Sequence, residues 1–249
     1  MKILGIIPAR MASSRFPAKL LKEVNGVSIL QMVYQQCLSA NLLSKVVVAT
    51  DHDDIFEHVK AFGGHAIMTN TKHQSGTDRC AEALEVMGGS ANYDFVVNIQ
   101  GDEPLISPTT INDLCLALET KSEVITVCKK IVETETLLNP NVVKVVIGEN
   151  KQALYFSRSP IPFYRESGID FWVKDFSYFR HMGIYAFRSD VLQGIVKLHM
   201  SPLENCEKLE QLRWLSNGIT IKVIETQFDS LGIDTEEDFE QLKQFLNKK

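Results

Sequence analysis

Short apolar runs without polar alternation recur along the N-terminal half of the chain, each followed by a stretch of helical period. KILGIIP at residues 2–8, KVVVAT at 45–50 and DFVVNIQ at 94–100 have no polar face to turn toward water. Such runs suit strands covered on both sides, as in a parallel sheet. Between the first two, SILQMVYQQCLS at 28–39 puts Ile29, Met32, Val33 and Cys37 on one helical face, behind an Asn25-Gly26 turn and a Ser28 N-cap. Further helices are expected over 53–62, 78–87 and 108–119, with a strand over 65–69. Successive βαβ units predict an α/β, doubly wound, mostly parallel sheet that binds its ligands at the carboxyl ends of its strands. The pattern changes after residue 122, where VITVCKK, VVKVVIG, ALYFSR and HMGIYAFR read as strands with little helix between them. This predicts an antiparallel, strand-rich excursion, followed by helices near 190–198 and over 203–215, a strand at 219–225 and a last helix from residue 235.

No Pro/Gly/Ser linker, internal repeat or low-complexity tract interrupts the 249 residues, so one domain spanning 1–249 is expected, with a dimerisation excursion around 150–185. The formal charge of −5 argues against a broad basic face for nucleic acid, so any anion site must be local. Five scattered cysteines without CxxC spacing argue against a disulfide framework or a zinc ribbon and predict buried free thiols. The first residues, MKILGIIPAR, hold too few apolar side chains for a signal-peptide core or a membrane span. A cytoplasmic protein with no membrane insertion is therefore expected.

The segment IPARMASSRFPAKLL at 7–21 directly follows the first strand. Arg10, Arg15 and Lys19, with the hydroxyls of Ser13 and Ser14, offer what a polyphosphate needs, several donors converging on separated oxygens. Neither GxxxxGK[ST] nor GxGxxG is present. A second candidate is HQSGTDR at 73–79, where Ser75 or Thr77 can cap a helix while Gly76 and Arg79 favour a ligand-facing loop. The third is NIQGDEPLI at 98–106, which presents Asp102 and Glu103 at a strand end. Beside a polyphosphate loop, acids there suit magnesium, which takes one or two carboxylates plus substrate phosphates. Asp234 in LGIDTEED is a possible second carboxylate and also reads as an ordinary N-cap. TDHDD at 50–54 competes as an Asp-x-Asp metal pattern of the kind glycosyltransferases use, although it also suits an acidic helix start.

Taken together, IPARMASSRFPAKLL, HQSGTDR, NIQGDEP, NPNVVKVV, ALYFSRSPIP, RHMGIYAFR, SPLENCEKLEQLRWL and GIDTEED resemble, in order and spacing, the 3-deoxy-D-manno-octulosonate cytidylyltransferases, or CMP-Kdo synthetases. The resemblance spans essentially the whole chain. It implies a Rossmann-like nucleotidyltransferase sheet, a homodimer, and a reaction of CTP with Kdo that gives CMP-Kdo and pyrophosphate for the lipopolysaccharide inner core. By the same resemblance, Arg15, Lys19, Asp102 and Asp234 are catalytic, and Asp102 and Asp234 bind Mg2+. Ala9, Arg10, Ser14, Arg15, Lys19, Ser75, Arg79 and Gln100 bind the nucleotide. Arg158, His181, Tyr185, Glu210 and Gln211 bind the sugar.

A related acceptor, 8-amino-Kdo or a sialic acid, is the alternative. Sialate enzymes tend to read Gly-Gly-Ser-Lys where this chain has Met11-Ala12-Ser13-Ser14, which favours Kdo. The chain departs from the family where Pro-Gly-Lys-Pro is usual, reading Pro17-Ala18-Lys19-Leu20. Alanine in place of that glycine would strain the backbone if the position needs positive φ.

Overall fold

The apolar runs form strands as their composition requires. The computed structural model describes residues 1–11, 15–119 and 121–247, and its elements fall into two compact units, Met1–Leu116 with Phe228–Lys249, and Ala117–Gln227. The expected 150–185 excursion lies inside the second unit.

In the first unit, β1 (Ile3–Ala9) is followed by a hairpin of β2 (Glu23–Val24) and β3 (Val27–Ser28). Asn25 and Gly26 turn this hairpin at φ values of 53° and 78°. A two-residue loop with both residues at positive φ is what strand twist favours, and Asn-Gly adopts it readily. Ser28 then caps α1 (Ile29–Ser39), its side chain accepting from the Gln31 N–H. β4 (Lys45–Thr50), α2 (Asp53–Ala61), β5 (Ala66–Met68), α3 (Gly76–Val86), β6 (Phe95–Asn98) and α4 (Pro108–Leu116) continue the alternation. β1 lies between β4 and β6, β5 flanks β4, and every one of these pairings is parallel. Leu4, Ile6, Ile7, Val48, Val96 and Val97 are completely buried, as expected of strands covered on both faces.

In the second unit, β7 (Val124–Ile131) is followed by α5 (Thr134–Leu138), β8 (Lys144–Ile147), β9 (Ala153–Ser157), α6 (Trp172–Asp175) and β10 (Tyr178–Arg188). β10 runs antiparallel to β7 and β8, and β8 pairs antiparallel with β9, which matches the expected strand-rich stretch. Then come α7 (Ser189–Ile195), α8 (Pro202–Glu207), α9 (Gln211–Ser216) and β11 (Ile221–Glu225), the last parallel to β7. The single helix expected over 203–215 is two, because Lys208 takes the left-handed conformation at φ 53° and ends α8. The chain returns to the first unit and closes with α10 (Glu236–Asn247).

All five cysteines are free. Four are buried, and burial pushes the Cys115 and Cys128 thiols up to about 12. Cys206 is exposed, against the expectation that all would be buried. Among the described residues, no helix is long and apolar enough to cross a membrane.

Candidate active site

Three loops of the first unit converge on the end of β1. Past β6, Ile99 N–H still bonds to the Ile6 carbonyl at 2.9 Å, after which Gly101 crosses the strand end. A Cβ on Gly101 would lie 3.2 Å from the Pro8 carbonyl oxygen, so glycine permits this close passage. The α3 end is fixed by a reciprocal capping box between Ser75 and Asp78, worth about 1 kcal/mol by the usual cost of losing such a cap. The returning chain is tied down by Ile233 N–H on the Asp102 carbonyl at 2.9 Å and by Ser230 Oγ on Glu103 at 2.7 Å. Thr235 and Asp238, rather than Asp234, make the reciprocal cap at α10. That corrects the reading of Asp234 as an N-cap and leaves its carboxylate to face the loop after β1.

Lys19 joins these pieces. Its ammonium donates to Asp102 Oδ2 at 2.6 Å and to Asp234 Oδ1 at 2.9 Å, while Arg15 reaches Asp234 Oδ2 at 3.0 Å. Burial alone would pull the Lys19 pKa down, but the two carboxylates outweigh it and the net shift is upward. At Asp234 burial pushes the carboxyl up, and hydrogen bonding and charge from Lys19 and Arg15 bring it below its ordinary value. The Lys19 side chain is 12% exposed against 49% for Asp234, so the ammonium sits inside and the carboxylates at the rim.

A cavity of about 480 Å³ opens here, lined by Ala9, Arg10, Arg15, Lys19, Ser75, Arg79, Gln100, Asp102 and Asp234. These are all the expected nucleotide and metal residues except Ser14, which, with Ser13, lies outside the described residues. Pro8, Leu20, His73, Gln74, Gly76 and Gly101 line it too. Of these, His73 and Gln74 open the HQSGTDR segment and carry no site signal of their own in the sequence. The signal available was their place immediately before a helix cap. Among the described residues no three His, Cys, Asp or Glu gather to hold a metal. Two carboxylates sharing one ammonium beside a cationic cavity do fit a magnesium ion that takes its remaining oxygens from phosphate and water.

Arg79 faces inward. Its guanidinium donates to Asp51 at 2.8 Å and to the Thr69 hydroxyl, with the side chain 5% exposed. Any ligand contact it makes is additional to this ion pair, which closes the gap between β4, β5 and α3. Asp51 is thereby engaged, His52 caps α2 and Asp53 lies in its first turn, so TDHDD forms the acidic helix start. The Asp-x-Asp metal reading has no support from this placement.

In the second unit, His181 and Tyr185 stand on β10 with ring centroids 5.2 Å apart. Thr126 Oγ1 lies 2.7 Å from the Ile184 carbonyl and 2.9 Å from His181 Nε2. The hydroxyl has one proton and gives it to the carbonyl, so the His181 ring must donate from Nε2. Burial drives the His181 pKa down to about 3, and burial and then the Glu210 charge push Tyr185 well above its usual value. Both rings are therefore uncharged near neutrality. Gln211 is buried at the first position of α9, directly after Glu210. Arg158 donates to the carbonyls of Glu207 and Pro140.

A family model described as cytidylyltransferase matches residues 4–224. The chain is 47% identical to the 3-deoxy-manno-octulosonate cytidylyltransferase of Bacteroides thetaiotaomicron, with 100% of each chain covered. It is 45% identical to the protein of the same name from Thermodesulfovibrio yellowstonii, with 99% of each covered. A solved structure of a CMP:2-keto-3-deoxy-manno-octonic acid synthetase complexed with CTP matches at a TM-score of 0.92 and 38% identity, over 100% of this chain and 99% of that one.

Proposed function

The chain belongs to the cytidylyltransferase family, and we propose that it transfers the cytidylyl group of CTP to the anomeric hydroxyl of Kdo, giving CMP-Kdo and pyrophosphate. The observation that carries this reading is the Lys19 ammonium held by Asp102 and Asp234 at the edge of a cavity that Arg10 and Arg15 also line. A triphosphate brings several negative charges, and transfer at its α-phosphorus needs those charges neutralised and the acceptor oxygen held in line. Lys19, with its raised pKa, remains a cation throughout the neutral range and is held where it can meet phosphate oxygens. Arg10 and Arg15 add donors from the same loop. Asp102 and Asp234 are the residues that would hold magnesium, which when bound supplies positive charge to phosphate and acceptor oxygens.

On the acceptor side, Arg158 suits the sugar's carboxylate. The neutral His181 and Tyr185 rings, with Glu210 and Gln211, suit its hydroxyls. The same assignment makes CMP-Kdo the activated sugar for the lipopolysaccharide inner core, formed in the cytoplasm. A homodimer is part of the proposal, supported by the large apolar side chains that the second unit leaves exposed, among them Phe163 at 77% and Phe171 at 54%. Sedimentation at monomer mass in near-physiological buffer would remove the dimer.

The direct test is pyrophosphate release from CTP and magnesium with no acceptor, Kdo, 8-amino-Kdo or a sialic acid. Release with Kdo and not with the others is expected. Release with 8-amino-Kdo in preference would change the acceptor and keep the reaction, and silence in every tube would overturn both.

A further inference from the structure

Arg158, directly after β9, is gripped from two directions within the second unit. Its Nε donates to the Glu207 carbonyl at 2.8 Å and its Nη1 to the Pro140 carbonyl at 3.1 Å. Its backbone N–H donates to Glu207 Oε2 at 2.9 Å, while the other carboxylate oxygen accepts from Ser157 Oγ at 2.7 Å. From a second direction, the completely buried Lys144 donates to the Arg158 carbonyl, and to those of Asn139 at 2.9 Å and Val142 at 2.6 Å.

Glu207 is available for this because α8 ends on it. The last carbonyls of a helix have no partner inside it, and the left-handed Lys208 stops the helix from continuing. Arg158 takes up the Glu207 carbonyl. Immediately beyond the break the chain presents Glu210 and Gln211. One residue therefore bonds to the end of β9 through side chain and backbone, and opens the turn that carries two more of the acceptor candidates.

We infer that Glu207 is a positioning residue for the acceptor: its carboxylate anchors the Arg158 backbone and the Ser157 hydroxyl at the end of β9 while its carbonyl takes the guanidinium, which sets Arg158 and the Glu210–Gln211 turn relative to each other, so that an acidic sugar meets both in one pose. This rests on the acceptor assignment above. Glu207 acts through Arg158 and need not touch the sugar.

The test is steady-state kinetics of the full-length enzyme with Kdo and CTP varied separately, alongside thermal melts. Glu207→Ala loses two side-chain hydrogen bonds and is expected to raise the acceptor KM about tenfold, with the CTP KM within about twofold of wild type. Glu207→Gln keeps an acceptor oxygen and should recover most of that loss. The double variant Glu207→Ala/Arg158→Ala should bind acceptor no more weakly than Arg158→Ala alone, because the two residues act as one unit. Additive losses would overturn the inference. So would an unchanged acceptor KM, or a lowered melting temperature with both KM values shifted alike. The wild-type control separates the two claims: turnover with Kdo keeps the functional reading whatever the variants do, whereas silence with every acceptor sinks that reading and this one with it.

Discussion

The two units solve opposite problems. The cavity of the first is built from charge: Arg15 and Lys19 follow the parallel strand β1, Asp102 follows β6, Asp234 lies just before α10, and each ion is held by its opposite. The acceptor candidates of the second include His181, which burial keeps neutral well into acid, and Tyr185, a phenol that burial pushes still further from ionising. The first arrangement suits a triphosphate, whose charge must be matched. The second suits a sugar, whose hydroxyls ask for oriented donors and acceptors. The difference implies that removing a charge should matter most in the first unit, and that acid should act on the second.

The largest effect is expected from Asp102→Asn, which keeps the shape and removes the charge. Turnover should fall roughly a thousandfold, as when a group that stabilises transition-state charge is lost, with the melting curve little changed. A wild-type rate of pyrophosphate release would take Asp102 out of the chemistry and erase the charged half of the contrast. Next comes Lys19→Ala, for which kcat/KM for CTP should drop about a hundredfold while the acceptor KM stays nearly constant. A change confined to the acceptor KM would mean that Lys19 serves the sugar.

Acid distinguishes the units by stability. Asp234, with its lowered pKa, contributes stability that is present above its unfolded value of 3.8 and is lost as pH falls through the folded value. Lys19, with its raised pKa, contributes below 10.5, and that contribution is lost as pH rises through its folded value. Neither changes between about pH 4 and 10 by this linkage. His181 does. Its unfolded value is 6.5 and its folded value about 3, so between them the unfolded chain binds a proton that the native one does not. Stability should therefore fall with acidification across that window, by about 1.4 kcal/mol per pH unit from this group. Urea titrations at pH 4.5 and 7 should show His181→Phe losing less stability on acidification than wild type. Equal losses would mean that His181 is not held neutral.

The halves also differ in how far they could be read from residues. The strands of the first unit and the Ser28 cap were legible because burial on both faces and capping leave local marks. The cation loop and Asp102 were legible because they sit where strands end. Asp234 is ambiguous in the sequence, since a string of Asp, Thr and Glu offers several caps of similar quality and only the fold shows that Thr235 and Asp238 make the one at α10. Arg79 pairs with Asp51, 28 residues away, a partner that no local pattern announces. The break at Lys208 was invisible for a related reason. The run from Leu203 to Leu215 keeps helical character throughout, and what meets the α8 terminus is Arg158, 49 residues earlier.

Ala18 gives the smallest expected effect. It stands at φ 53° and ψ 28°, in the left-handed region, at the start of the turn that delivers Lys19. The position therefore has the backbone conformation that glycine adopts freely, where the resembling family usually has glycine. A residue with a Cβ loses roughly 1–2 kcal/mol there relative to the right-handed region, and glycine is spared most of this. Glycine also makes the unfolded chain more flexible, which offsets part of the gain. The expected net for Ala18→Gly is a stabilisation of about 0.5–1 kcal/mol in urea unfolding, with kcat and both KM values within about twofold of wild type. The rate should hold because Lys19 is located by its two carboxylates, and the preceding residue only has to allow the turn. A destabilisation of similar size would show that the loop adopts another conformation in solution. A large gain in rate would show instead that strain at Ala18 misplaces the Lys19 ammonium, so that the charged site is less preorganised than its short ion pairs imply.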